Sequence, residues 1–323
     1  MASRCARWIS LLLVAIAGAA WAQPYPGKPV RILVGYAPGG SVDMVARLMA
    51  QKLTASFGQP VLVENRPGAA SNIAGDITAK SPPDGYTLLI SGGGALSTNA
   101  AIYAKMPYDP LKDLGPIALL VHQGNVLIVN PSLPPRSVKE FIALAQSRPG
   151  KLNYGTGGNG SNQHLATELF TMMAGLKLVH VPYKGGAPAM TDLVGGQIEF
   201  MFQTIPEAIQ HIKSARVRAL GVTGLKRSAA LPDVPTIDEA GLPGYSYEGF
   251  IGMVGPAGMP KEIVARLSSE VAKALASSDV QARLLELGLE PGSGTPEQFG
   301  AYLREQSVQA FKLAKDMGIK PVD

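Results

Sequence analysis

Hydrophobic positions along this chain alternate between two periods. Short apolar runs of strand-forming residues, the first being Val30-Arg31-Ile32-Leu33-Val34, lead through glycine-rich turns into apolar residues spaced three or four apart. After the first run, Gly35-Tyr36-Ala37-Pro38-Gly39-Gly40 makes the turn. Val42, Val45, Met49 and Leu53 then form one face of a helix starting at Ser41. Ser41 suits the N-cap, and Asp43 suits the positive end of the helix dipole. The unit recurs. Residues 61–65 read as a second strand, and Arg66-Pro67-Gly68-Ala69 turns into a helix over 72–80 that Pro82-Pro83 stops. Residues 86–90 read as a third strand, ending in Ser91-Gly92-Gly93-Gly94. Strands alternating with helices predict a parallel sheet with right-handed crossovers. Such sheets bind ligands beyond the carboxyl ends of their strands, which places the loops at 37–41 and 91–99 on one rim.

The pattern restarts at Asn125. A strand over 126–129 precedes Ser137-Val138-Lys139-Glu140, a capping box that opens a helix ending at Arg148-Pro149-Gly150. A short strand, 152–154, meets Gly155-Thr156-Gly157-Gly158-Asn159-Gly160-Ser161, with Ser161 as N-cap and His164 in the next helix's first turn. Strands over 178–181, 198–202 and 217–222 follow, the first two ending in Tyr183-Lys184-Gly185-Gly186 and Gln203-Thr204-Ile205-Pro206. Residues 225–248, rich in proline and glycine, read as a long return segment before a strand at 249–254. Helices then run to the end: Ile263, Leu267, Val271 and Leu275 form one face, and Thr295-Pro296-Glu297-Gln298 starts the last helix. These terminal helices need a sheet to cover, which predicts their return to the first unit. The expected division is 23–124 with 250–323 as one domain and 125–249 as the other. Two strands, near 121–126 and 247–252, would cross between them as a hinge. The fold class is α/β, a two-domain arrangement of mainly parallel sheets flanked by helices.

A strand feeding a helix through glycines directs backbone N–H groups at whatever sits above the sheet, an anion site that needs no cationic side chain. Ala37, Gly39, Gly40, Ser41 and Asp43 are candidates there, with Ser91 on the neighbouring loop. An ordinary tight βα connection explains the same residues. A phosphate-binding P-loop is excluded by the missing lysine. The second loop offers Gly155, Thr156, Gly160, Ser161 and His164, joined by Tyr183 and Gln203 from the following strand ends. His164 also fits a helix-start histidine satisfied by local backbone. Gly155, Gly157 and Gly160 match G-x-G-x-x-G, but the next strand ends in His180, Pro182 and Tyr183, with no acid for a ribose. A small carboxylate is the expected ligand. No cofactor is expected, and the four histidines show no metal-ligand spacing. G-x-S-x-G and H-E-x-x-H are absent, so a secreted enzyme with a dispersed triad is the second reading and an effector-sensing regulator the third.

Composition narrows the partners. Arg4 and Arg7 precede an apolar run over 9–17, and Ala20-Trp21-Ala22 fits a small-x-small cleavage pattern. Residues 1–22 therefore read as a signal peptide cleaved after Ala22, with an uncleaved anchor as the alternative. Cys5, the only cysteine, leaves with it. Loss of Arg4 and Arg7 takes the net charge from +5 to +3, with no basic cluster, so nucleic-acid binding has no support. About 300 mature residues suit two domains of ordinary size, and a monomer is expected.

Taken together, Tyr36-Ala37-Pro38-Gly39-Gly40 with Asp43, Glu64-Asn65-Arg66-Pro67-Gly68-Ala69, Pro83-Asp84-Gly85-Tyr86-Thr87-Leu88-Leu89, Asn153-Tyr154-Gly155 with His164, His180-Val181-Pro182-Tyr183-Lys184-Gly185-Gly186 and Leu231-Pro232-Asp233-Val234-Pro235-Thr236 carry a resemblance. The chain resembles the Bug-type substrate-binding proteins of tripartite tricarboxylate transporters over essentially its whole mature length. The resemblance implies a periplasmic protein of two domains that closes on a small carboxylated solute, held largely by backbone groups and ordered waters, and that serves membrane transporter subunits. One departure stands out. After Glu199-Phe200-Met201-Phe202 the family usually carries Asp, where this chain has Gln203. A neutral amide facing the cleft there implies ligands without a free ammonium group.

Overall fold

The computed structural model describes residues 25–316, so the expected signal peptide and its cleavage site after Ala22 lie outside the described residues. β1 (Val30–Val34) is flanked in parallel by β2 (Val61–Asn65) and β3 (Thr87–Gly92). α1 (Ser41–Phe57) and α2 (Asn72–Ala79) make the crossovers. Ile32, Leu33 and Val34 are wholly buried because helices cover both faces of this sheet.

β4 (Leu114–Val129) is the longest strand, and it belongs to both lobes. Its first part pairs antiparallel with β9 (Glu248–Pro256), while residues 125–129 pair antiparallel with β7 (Phe200–Thr204). The second lobe adds α3 (Val138–Ser147), β5 (Asn153–Thr156), α4 (Asn162–Ala174), β6 (Val179–Pro182), α5 (Gly186–Val194), α6 (Ile205–Lys213) and β8 (Arg218–Val222). α7 (Ile237–Ala240), in the return segment, has a complete capping box between Thr236 and Glu239. Strand order is β2-β1-β3-β9-β4-β7-β5-β6, with β8 and β10 (Leu289–Pro291) also on β4. The sheet is thus mixed. Parallel triplets lie at both ends, and the antiparallel strands between them arise because a chain that leaves one lobe on β4 must return on β9.

α8 (Lys261–Ala276) and α9 (Ser278–Glu286) cover the first lobe beside α1, through Leu267, Val271, Leu275 and Leu284. α10 (Pro296–Asp316) covers its other face, where Phe299 and Leu303 meet Leu33, Leu89 and Phe250. The second lobe's core is more aromatic: Phe141 packs edge-on against Phe200 at 4.7 Å, beside Tyr154, Phe170 and Tyr245. Both lobes point the carboxyl ends of their parallel strands toward each other.

Candidate ligand-binding cleft

The first rim is built on the β1–α1 turn. Gly40, in extended conformation, occupies the N-cap position, and Ser41 is the first helical residue; α1 has no side-chain cap. This corrects the expectation that Ser41 caps the helix. Asp43 reaches back instead, its Oδ2 accepting from Gly39 N–H at 3.0 Å and Arg47 Nε at 2.9 Å, while Oδ1 accepts from Asn65 Nδ2 at 2.9 Å. Burial pushes the Asp43 carboxyl upward, but the bonds from Arg47, Gly39 and Asn65 outweigh it and hold the pKa below the ordinary value. Asp43 is therefore the anchor of the turn and not a group in the cleft. Gly39, at φ 85, supplies the left-handed position that the turn requires.

The second rim is built on the β5–α4 loop. Thr156 Oγ1 accepts from Gly158 N–H at 3.1 Å and lies 2.6 Å from His180 Nε2. His180 stacks between Tyr154, at 4.9 Å, and His164, at 4.4 Å. His164 Nδ1 accepts from Gly160 N–H at 3.1 Å, and Ser161 Oγ caps α4 by accepting from His164 N–H at 3.3 Å. Burial drives both imidazoles neutral, His164 to a pKa of about 3, helped by its neighbour His180, and His180 to about 4. The nucleotide-like spacing of glycines has a packing cause. Gly155 leaves room for Ile198, Ala189 and Tyr183, and Gly160, at φ 80, lies against Asn99 of the first lobe.

The rims touch. Ala37 N–H donates to the Lys184 carbonyl at 3.3 Å, Tyr103 Oη–H to the Asn159 carbonyl at 3.2 Å, and Ser41 N–H to Glu207 Oε1 at 2.8 Å. Two cavities lie between them. The inner one, about 30 Å³, is lined by Tyr36, Ala37, Gly40, Ser41, Gln163, Gly186 and Glu207, among others. The outer one, about 160 Å³, is lined by Tyr36, Ala70, Tyr103, Gly158, Tyr183 and Lys184, among others.

Of the expected residues, Ala37, Gly40 and Ser41 line the inner cavity and Tyr183 the outer. The others stand behind the rims. Ser91 is buried, its Oγ donating to Ser71 Oγ at 2.9 Å. Gly155, Thr156, Gly160, Ser161 and His164 brace the loop as described, and Gly39 and Asp43 brace the turn. Gln203 corrects the expectation of a cleft-facing amide, because it has no exposure at all. Its Nε2 donates to the Gly186 carbonyl at 3.0 Å, and its Oε1 accepts from Gln163 Nε2 at 3.1 Å and Thr204 N–H at 2.9 Å. The amide ties three elements together beneath the cleft, so it carries no inference about ligand ammonium groups. Tyr36, Gln163, Gly186 and Glu207 are cavity residues that sequence reasoning missed. Pro206-Glu207 looks like an ordinary helix start, and only the meeting of the lobes shows where Glu207 points.

Two α/β lobes that exchange strands and face each other across glycine-rich loops, with a helix N-terminus at the cleft, define a two-domain binding protein. The family model described as the tripartite tricarboxylate transporter family receptor matches residues 45–319, and the chain belongs to this family. BugT of Bordetella pertussis is 35% identical over 313 residues, 97% of this chain and 96% of that protein. Among solved structures, R. palustris Rpa4515 with adipate superposes with a TM-score of 0.90 at 38% identity, covering 92% of this chain and 100% of that one. MatC (Rpa3494) of Rhodopseudomonas palustris with bound malate has a TM-score of 0.86 at 32% identity, covering 90% and 99%. The family consists of periplasmic binding proteins. No described helix is long and apolar enough to cross a membrane, and no described cluster of three His, Cys, Asp or Glu residues is placed to hold a metal.

Proposed function

We propose that this protein is an extracytoplasmic solute-binding protein that captures a small carboxylated metabolite between its lobes and delivers it to a tripartite tricarboxylate-type membrane transporter. The observation that carries this reading is the N-terminus of α1, whose Ser41 N–H points into the inner cavity and there holds a carboxylate, that of Glu207, at 2.8 Å. That is the geometry a ligand carboxylate needs. The adipate and malate of the two similar structures are ligands of that chemical class. Ala37, Gly40, Ser41 and Tyr183 would touch the ligand, and the other expected residues would hold the rims in place. The working unit is a monomer, exported after cleavage at Ala22, that binds and releases its ligand unchanged. Residues 23–124 with 250–323 move as one domain and 125–249 as the other, bending at the two strand crossings.

A thermal-shift screen of mono-, di- and tricarboxylates tests the reading. A ligand at about a hundred times its dissociation constant adds roughly 2.7 kcal/mol of stability. If no carboxylate raises the melting temperature, the proposed ligand class is wrong. Small-angle scattering with the tightest binder should show contraction, and an unchanged radius would reject the hinge.

A further inference from the structure

The inner cavity contains a carboxylate belonging to the protein. Glu207 sits in the first turn of α6, and its Oε1 accepts from Ser41 N–H at 2.8 Å and from Thr204 Oγ1–H at 3.0 Å. The residue as a whole keeps some exposure, but its Oε2 is sealed from solvent and has no hydrogen-bond partner among the described residues. That oxygen lies against Gly186, where any side chain would overlap it and the Gln203 amide. An anion drawn to the α1 N-terminus therefore arrives beside a second carboxylate.

Among the described residues that line this cavity none is cationic, so nothing there separates the two charges. From the β1–α1 turn the cavity meets Tyr36, whose phenol is pushed up by burial and stays neutral. β3 and β4 contribute Gly92 and Gln123, α4 contributes Asn162 and Gln163, α5 contributes Gly186, and β7 contributes Thr204 with Gln203 behind it. Lys184 lines the outer cavity and not the inner one. On α6 itself, the His211 imidazole is pushed down by burial and by Arg216. His164 and His180, with pKa values of about 3 and about 4, are neutral at any pH where the protein would be assayed.

We propose that Glu207 meets an anionic ligand in its carboxylic-acid form, donating from Oε2 to a ligand carboxylate oxygen, so that capture of the anion brings one proton into the cleft. The proton comes from solvent, and only hydrogen bonds form. This arrangement keeps both bonds already made to Oε1, gives Oε2 the partner it lacks, and leaves a single negative charge facing the half-charge of the helix terminus. Burial already raises the Glu207 pKa against the opposing bonds from Ser41 and Thr204, and a ligand carboxylate raises it further. The inference rests on the carboxylate-binding reading above.

Calorimetry on the intact protein with adipate, malate and citrate, in buffers of different ionisation enthalpy from about pH 5.5 to about pH 8.5, counts the proton once affinities are referred to the fully ionised ligand and each ligand's own ionisation is subtracted. The wild type should take up as much as one proton per ligand. Its dissociation constant should rise about tenfold per pH unit wherever Glu207 is ionised in the free protein and protonated in the complex. Glu207→Gln keeps an acceptor for Ser41 and a neutral donor for the ligand, so it should bind with pH-independent affinity and no proton uptake. Binding without proton uptake across the whole range overturns the proposal, as does uptake that persists in Glu207→Gln. Tighter binding of aspartate than of malate, lost in Glu207→Gln, would show Glu207 acting as an anion and also overturns it. If none of these carboxylates binds, the underlying ligand class fails, and that result is distinct from binding without a proton.

Discussion

The turn at 37–41 and the loop at 155–161 both join a strand to a helix through glycines, yet they use their polar groups in opposite ways. In the first, one carboxylate, Asp43, holds the turn from within. α1 has no side-chain cap, so Ser41 N–H is left to reach across the cleft. In the second, Thr156, His164 and Ser161 consume the N–H groups of Gly158, Gly160 and His164, and the histidine pair backs them. The first rim therefore turns a helix-end donor into the cleft, where it holds a carboxylate of the other lobe, while the second spends its donors within its own loop and offers a fixed shape. A glycine-rich loop presents donors to a cleft only where its own side chains have not already taken them.

Acid should break the two rims at different pH, and this is the largest expected effect. His164 and His180 have folded pKa values of about 3 and about 4, below the unfolded value of about 6.5. Between these values the unfolded chain binds more protons, so stability is complete above about pH 6.5 and falls as pH falls. The slope reaches at most about 1.4 kcal/mol per pH unit for each histidine. Asp43, whose folded pKa is lowered, keeps its contribution down to the carboxylate range and loses it only as pH falls through its folded value. Urea unfolding should weaken by several kcal/mol between about pH 6.5 and about pH 4.5. A flat midpoint over that window would mean that the histidines do not brace the second rim.

A smaller effect comes from single side chains. Thr156→Val leaves Gly158 N–H and His180 Nε2 without their buried partner and should cost about 2 kcal/mol in urea unfolding. Asp43→Asn keeps an acceptor for Gly39 N–H but sets its amide nitrogen against the Asn65 Nδ2 donor and gives up its charge on half-exposed Arg47, so about 2 kcal/mol is expected. A variant as stable as the wild type would mean that Asp43 does not hold the turn.

Much of this architecture was legible because short apolar runs and glycine punctuation mark buried parallel strands. The full length of β4 is not legible in the sequence, because Gly115, Pro116 and Gly124 interrupt its apolar pattern and register shifts absorb the irregularity. The capping box at Ser137 is only half formed: Ser137 Oγ accepts from Glu140 N–H, but the Glu140 carboxylate turns to Arg136 N–H. In the cleft, the backbone turns were legible and the side chains facing them were not. The place of Gln203 at a strand end points it at the cavity, whereas its amide is drawn beneath the cleft by Gln163 and Gly186. Glu207 was invisible for the converse reason. Its contact with Ser41 joins residues 166 positions apart, and no local pattern records such a pairing.

The two serines that open the rim helices provide the finest test of the comparison. Ser41 and Ser161 stand at equivalent places in the sequence pattern, each directly before an apolar helical face, and both read as N-caps. In the fold, only Ser161 is one. Its Oγ accepts from His164 N–H and holds the first turn of α4 beside the histidine stack. Ser41 lies one residue inside α1, and its N–H serves Glu207 on the opposite lobe. Ser161→Ala should therefore lower the stability of the ligand-free protein by about 1 kcal/mol, the usual value of a lost cap. Ser41→Ala leaves its N–H in place and removes no cap, so the change should stay within about 0.5 kcal/mol. Paired urea titrations resolve the difference. An equal loss in both variants would mean that the Ser41 side chain caps α1 in solution, and the two rims would then be built alike.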